Sequence, residues 1–173
     1  RGMSGNYAFA ALNSNKRAIT LNLKSAEGRA LLHRLVQRAD ALIENYAPGV
    51  MDRLGVGWEA LRETNPRLVY ASASGFGLSG PDRDNLAMDF TIQAASGVMS
   101  LTGFADGPPL RTGGPYVDIL GGAHLYAALM TALLQRERGG RGQLVEVAMV
   151  EAQFAILTTA LALQQRRHQR RIE

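Results

Sequence analysis

Residues 41–74 read ALIENYAPGVMDRLGVGWEALRETNPRLVYASAS, and the order of signals inside that stretch decides the fold class. The run 41–44 is short and apolar, as a buried strand is. Asn45-Tyr46-Ala47-Pro48-Gly49 then carries turn chemistry and leads into a short helix through Leu54. A further helix over 58–64 stops at Asn65-Pro66, and 67–74 (RLVYASAS) makes a second strand. Strand, helix and strand in sequence, joined by short turns, are the signature of α/β architecture with a parallel sheet.

The same order extends in both directions. Upstream, 18–23 (AITLNL) alternates with β-branched residues and reads as a strand. Ser25 caps a helix to about Ala39, with Leu31, Leu32, Leu35 and Val36 on one face. Downstream, glycine and proline punctuate 75–81, and a helix is expected from Met88 to about Ser100. Residues 103–115 hold four glycines and three prolines and form a long loop. The most hydrophobic element runs from about Asp118 to Arg138 and stops at Gly139-Gly140. A strand over 143–149 and a helix from about Glu151 complete a chain without internal repeat or linker, which reads as one domain or part of one.

Composition narrows the function. The 173 residues are 46% hydrophobic and 20% charged, which suits a packed domain and not a disordered tail. The absence of cysteine excludes disulfide scaffolds, Cys-ligated zinc and thiol catalysis. His33, His124 and His168 lie far apart without ligand spacing, so no metal site is expected. The net charge of +4 comes from arginine, since Lys16 and Lys24 are the sole lysines. Aromatics are 6%, and the dense basic run 166–171 reads as a solvated helix end, so nucleic acid is not favoured. No signal peptide is visible after Arg1, and the longest uncharged run, 119–135, falls short of the ~20 apolar residues of a membrane span. These features point to a cytoplasmic protein with no membrane partner.

Two motifs need weighing. Residues 75–80 (GFGLSG) match the dinucleotide fingerprint formally and follow a strand. That fingerprint must open into a helix whose N-terminus holds the pyrophosphate, and here Pro81-Asp82-Arg83-Asp84-Asn85 follows instead. It is a decoy. Asp118 is the carboxylate that chemistry singles out. It lies between the Gly113-Gly114-Pro115 loop and an apolar helix, with no arginine or lysine between Arg111 and Arg136. The ordinary reading is a helix N-cap, and the reactive one a nucleophile or base. Lys24, Arg53 and the pair Lys16-Arg17 are candidate phosphate ligands, although single charges of this kind more often sit solvated on the surface. His124, six residues after Asp118, points to a different helix face and reads as a core histidine.

Five blocks, NSNKRAITLNLKSAEGR (13–29), ENYAPGVMDRLG (44–55), NPRLVYASASGFG (65–77), SLTGFADGPP (100–109) and RERGGRGQLVEVAM (136–149), resemble the family III (CaiB/BaiF-type) CoA-transferases in order and spacing. The resemblance covers about Asn13 to Phe154. It implies a Rossmann-like parallel sheet core and an enzyme that moves coenzyme A from an acyl-CoA to a free carboxylic acid. It also implies that Asp118 is the nucleophile, through a covalent aspartyl intermediate.

It further implies a CoA site. Leu21 and Lys24 approach the nucleotide, and Asn45, Tyr46 and Ala47 pack on the adenine and pantetheine. Arg53 binds phosphate, Leu86 lies in the CoA wall, and Asp89 lies near the nucleophile. Some relatives have arginine in the place of Ala47 and several have lysine at Leu86, so two contacts differ here. The racemases of the same family carry a histidine where Met88 stands, and a thioether takes no proton, so the transferase reading is preferred to the racemase one. A non-catalytic CoA-binding module is the other rival. Relatives are more than twice as long. The resemblance therefore implies that residues 1–173 are a fragment of the large, CoA-binding and catalytic domain without the small domain, from a protein that forms an interlocked homodimer.

Overall fold

The central strand of the sheet is buried on both faces, and the rest of the molecule is arranged around that fact. In the computed structural model, which describes residues 7–169, β1 (Ala41–Glu44), β2 (Val69–Ser74) and β3 (Leu144–Ala148) form one parallel sheet in the order β1-β2-β3. Ala41 lies opposite Val69 in the first pair, and Tyr70 opposite Leu144 in the second. Parallel strands need crossover connections, which put helices on the sheet faces. Alternation along β2 then sorts its side chains. Tyr70 joins Val36, Met51, Val56, Leu61 and Leu68 in one core cluster, while Val69 and Ala71 join Leu125, Leu129 and Ala132 in the other.

The helices are α1 (Tyr7–Asn13), α2 (Ala26–Val36), α3 (Val50–Arg53), α4 (Trp58–Thr64), α5 (Asp89–Ala95), α6 (Tyr116–Gly139), α7 (Met149–Ala152) and α8 (Phe154–Gln169). Ser25 caps α2 as its position suggests, accepting from the Gly28 amide at 3.0 Å. The Asn65 side chain donates to the carbonyls of Val36 and Ala39, so the residue that ends α4 also closes the end of α2. Gly140, at φ +77°, ends α6 in the left-handed conformation that glycine adopts freely.

Several expectations need correction. Residues 18–23 form no strand: among the described residues no strand pairs with them, and Ile19 is 67% exposed. β1 is an edge strand and half-buried, with Ile43 facing out. The helix expected over 88–100 breaks at Gly97, whose φ of +85° ends α5, and a 3-10 turn, Val98–Leu101, follows. The whole of α6, 24 residues with a mean hydropathy of 1.5 in its most apolar window, is long and apolar enough to cross a membrane by length and composition, although its uncharged run is not. Its inner stripe packs on the sheet as that of a core helix does. The basic run begins at Arg166 near the end of α8, and its part from Arg170 on lies outside the described residues.

Candidate active site

Asp118 is the third residue of α6, and Pro115 occupies the cap position, so the N-cap reading of this aspartate does not hold. An acidic residue in the first turn of a helix is electrostatically at home. Asp118 nonetheless gains nothing from hydrogen bonding, because its carboxylate accepts no bond from the described residues. The amides that it might have engaged are taken: Asp89 Oδ2 accepts from the backbone N–H of Val117 at 2.8 Å and of Asp118 at 3.2 Å. Burial first, and the Asp89 carboxylate second, hold the Asp118 carboxyl above the usual aspartate range.

Asp89 is itself the first residue of α5, and both of its oxygens are engaged. Oδ1 accepts from Gln93 Nε2 at 2.6 Å, one helical turn on. Gln93 is fully buried, and its Oε1 accepts the Thr112 amide at 2.8 Å. The α5 helix, the end of the 103–115 loop and the first turn of α6 are therefore joined by one chain of hydrogen bonds. Met88, the N-cap of α5, is exposed, and Thr91 satisfies its backbone groups.

A second group gathers where β1 ends. Asn45, Tyr46 and Ala47 are exposed on the turn, and Arg53, also exposed, follows on α3. Beside them opens a cleft of about 220 Å³ whose walls include Glu44, Ala47, Asp52, Trp58, Tyr70 and Ser72. The Ser72 hydroxyl donates to Glu44 Oε1, and the Tyr46 amide donates to Glu44 Oε2 at 2.8 Å. Burial, then the Glu44 and Asp52 carboxylates, push the Tyr70 phenol far above its usual value. The cleft is thus aromatic and acidic, suited to a flat apolar or hydrogen-bonding group, and no arginine or lysine is among its lining residues.

Leu21 is half-buried and Lys24 exposed in the turn before α2, where Arg29 Nη1 donates to the Lys24 carbonyl at 2.9 Å. Leu86 is 85% exposed. The structure thus brings Asp89 to Asp118, and Asn45, Tyr46 and Ala47 to one turn with Arg53 close behind. Among the described residues no hydrogen bond or ion pair joins these groups to each other or to Lys24. His124 keeps its Nδ1 on the Leu120 carbonyl at 2.9 Å, as a satisfied helix histidine does. Residues 75–85 form turns and no helix, with Gly77 and Gly80 at positive φ, so the glycine run has no pyrophosphate-binding helix behind it. Sequence reasoning missed Gln93, Glu44 and Tyr70. The i, i+4 spacing of Asp89 and Gln93 was the available signal for the first.

Comparison with known proteins identifies the family and the fold. A family model described as CoA-transferase family III matches residues 1–173. The formyl-CoA:oxalate CoA-transferase of Streptomyces avermitilis is 48% identical over 158 residues, covering 91% of this chain and 38% of that protein. The acetyl-CoA:oxalate CoA-transferase of Acetobacter aceti is 47% identical over 154 residues, covering 88% of this chain and 40% of that protein. The crystal structure of a CaiB/BaiF family protein from Brucella suis superposes with a TM-score of 0.80 at 39% identity, covering 83% of this chain and 38% of that one. The chain therefore spans about two fifths of the length of these relatives.

Proposed function

The chain belongs to CoA-transferase family III, and we propose that it carries the nucleophile and part of the coenzyme A site of an enzyme that moves CoA from an acyl-CoA to a free carboxylic acid. The observation that carries this reading is the Asp118 carboxylate, unbonded at the start of α6 because Asp89 occupies the amides beside it. The carboxylate attacks the thioester carbonyl, the C–S bond breaks, and a mixed anhydride and the CoA thiolate result. The thiolate then attacks the aspartyl carbonyl, releasing the donor acid and leaving an aspartyl-CoA thioester. The acceptor carboxylate runs the two steps in reverse, with no net proton change.

In this reading Asn45, Tyr46 and Ala47 line the nucleotide and pantetheine path, Leu21 and Leu86 flank it, and Lys24 and Arg53 meet phosphate. The acidic interior of the neighbouring cleft supports placing the phosphates outside it. Formyl- or acetyl-CoA as donor and oxalate as acceptor are the first substrates to try, on the strength of the two relatives' names. Met88 offers no proton-accepting atom, which supports transfer over α-proton exchange. The whole protein is proposed as a cytoplasmic homodimer, and the exposed apolar side of α6, with Ile119, Tyr126, Met130 and Leu134, supports a covering partner.

The test is mass spectrometry after mixing the protein with formyl-, acetyl- or oxalyl-CoA, followed by hydroxylamine. The expected result is a CoA adduct and a hydroxamate on the peptide holding Asp118, both lost in Asp118→Ala. CoA binding without any adduct would refute covalent transfer and leave a binding module or a racemase.

A further inference from the structure

Gln93 stands out because it is a large polar side chain with no exposure, in a helix of seven residues, and no motif asks for it. A buried amide is tolerated only when its donor and acceptor are both used. Gln93 uses one of each on two different elements. Its Nε2 donates to Asp89 Oδ1 at 2.6 Å, and its Oε1 accepts the Thr112 amide at 2.8 Å. Three residues after Thr112 comes Pro115, the cap of α6. The amide therefore fixes both the carboxylate that caps α6 and the loop that enters it.

We propose that Gln93 is a positioning residue of the transfer reaction: it holds the Asp89 carboxylate on the amides of Val117 and Asp118, which leaves the Asp118 carboxylate without a backbone partner and free to attack. The inference rests on the assignment of Asp118 as nucleophile. An aspartate in the first turn of a helix whose amides were free would fold back onto them, and a carboxylate that accepts backbone N–H bonds becomes a weaker base and nucleophile. Asp89 prevents this by occupying those amides, and its own charge, close to Asp118, disfavours ionisation there. The other carboxylates on elements packed against α6, Glu146 on β3 and Glu151 on α7, make no contribution to that shift. Among the described residues Gln93 is the group whose side chain donates to Asp89 Oδ1.

The test separates position from fold. Gln93→Glu keeps the size of the side chain and the acceptor for Thr112 but replaces the donor with a carboxylate oxygen facing Asp89. In the full chain labelled with ¹³C-aspartate, the Asp118 carboxyl is assigned by the signal missing in Asp118→Asn and titrated. The expected result is an Asp118 titration that falls toward the ordinary aspartate value in Gln93→Glu, with adduct formation slowed about tenfold to a hundredfold. The double variant Gln93→Glu with Asp89→Asn restores a donor–acceptor pair of the original shape and is expected to recover part of that rate. An Asp118 titration unmoved in folded Gln93→Glu overturns the proposal. If Gln93→Glu does not fold, Gln93→Met, which removes the donor and acceptor without adding charge, carries the same titration, and an unmoved midpoint there overturns it equally. A wild-type chain that forms no adduct would sink the transferase reading and with it the role in transfer, while the titration, which needs no turnover, still reports separately on whether Gln93 keeps Asp89 on the amides.

Discussion

At the scale of the residue, Asp118 is in an environment that costs stability once its carboxylate ionises. Its carboxyl lies above its ordinary value of 3.8 because of burial and the Asp89 charge, so the folded chain holds this proton more tightly than the unfolded chain does. Below that ordinary value both states are protonated and nothing is lost. As pH rises past it the unfolded chain ionises first, so stability falls until the folded group has ionised as well, and the deficit then stays constant. Asp118→Asn cannot ionise. Its melting temperature relative to wild type is therefore expected to rise as pH passes the ordinary value and to level off once the folded carboxyl has ionised, as scanning calorimetry over a pH series would show. A constant difference would mean that the carboxylate is not held against its preference. The place of Asp118 at the start of a long apolar helix was legible in the sequence because a Gly-Gly-Pro loop meets an apolar run there. Gln93 was legible only in part: its i, i+4 spacing to Asp89 is visible in the sequence, but only the folded loop brings Thr112, 19 residues away, to it.

At the scale of the element, α6 is anchored at both ends, and the second anchor is an arginine that no sequence reading singled out. Arg136 is 8% exposed. Its Nη1 donates to the carbonyls of Asp40 at 3.1 Å and Arg67 at 3.5 Å, the residues leading into β1 and β2. Its Nη2 pairs with Asp40 Oδ1 at 3.0 Å and Glu137 Oε1 at 2.9 Å. Both carboxylates are mostly in water, so the ion pairs add little, and the carbonyl bonds from a buried charged donor carry the effect. Arg136→Met is expected to cost about 2 kcal/mol, seen as a lower urea midpoint at unchanged slope, with Arg136→Lys intermediate. An Arg136→Met midpoint equal to wild type would make the arginine a bystander. The elements themselves were largely readable: the turn at 45–49, the stop at Asn65-Pro66 and the glycines after α6 each act locally, through backbone angles that these residues favour or forbid. What escaped was non-local. The 18–23 segment has strand-like residues but, among the described residues, no neighbouring strand to bond, and β-propensity without a partner makes no sheet.

At the scale of the whole molecule, the covering of α6 is unequal. Val117, Gly121, Leu125, Leu129 and Ala132 are buried on one side, while Ile119, Tyr126, Met130 and Leu134 stand about half to two thirds exposed on the other. Spacings of seven, four and four residues place the exposed four on one stripe opposite the buried one. A helix apolar all round is built to be covered all round, and among the described residues only one side is. Contiguous apolar surface of this kind drives association in water. The 173-residue chain is accordingly expected to self-associate, with a sedimentation coefficient that rises with concentration. Tyr126→Glu combined with Met130→Glu should abolish that rise without lowering the melting temperature, since neither side chain contributes to the two core clusters. A wild-type chain that sediments as a monomer at every concentration would show that the stripe is tolerated bare. The exposed side of α6 would then lose its standing as support for a homodimer.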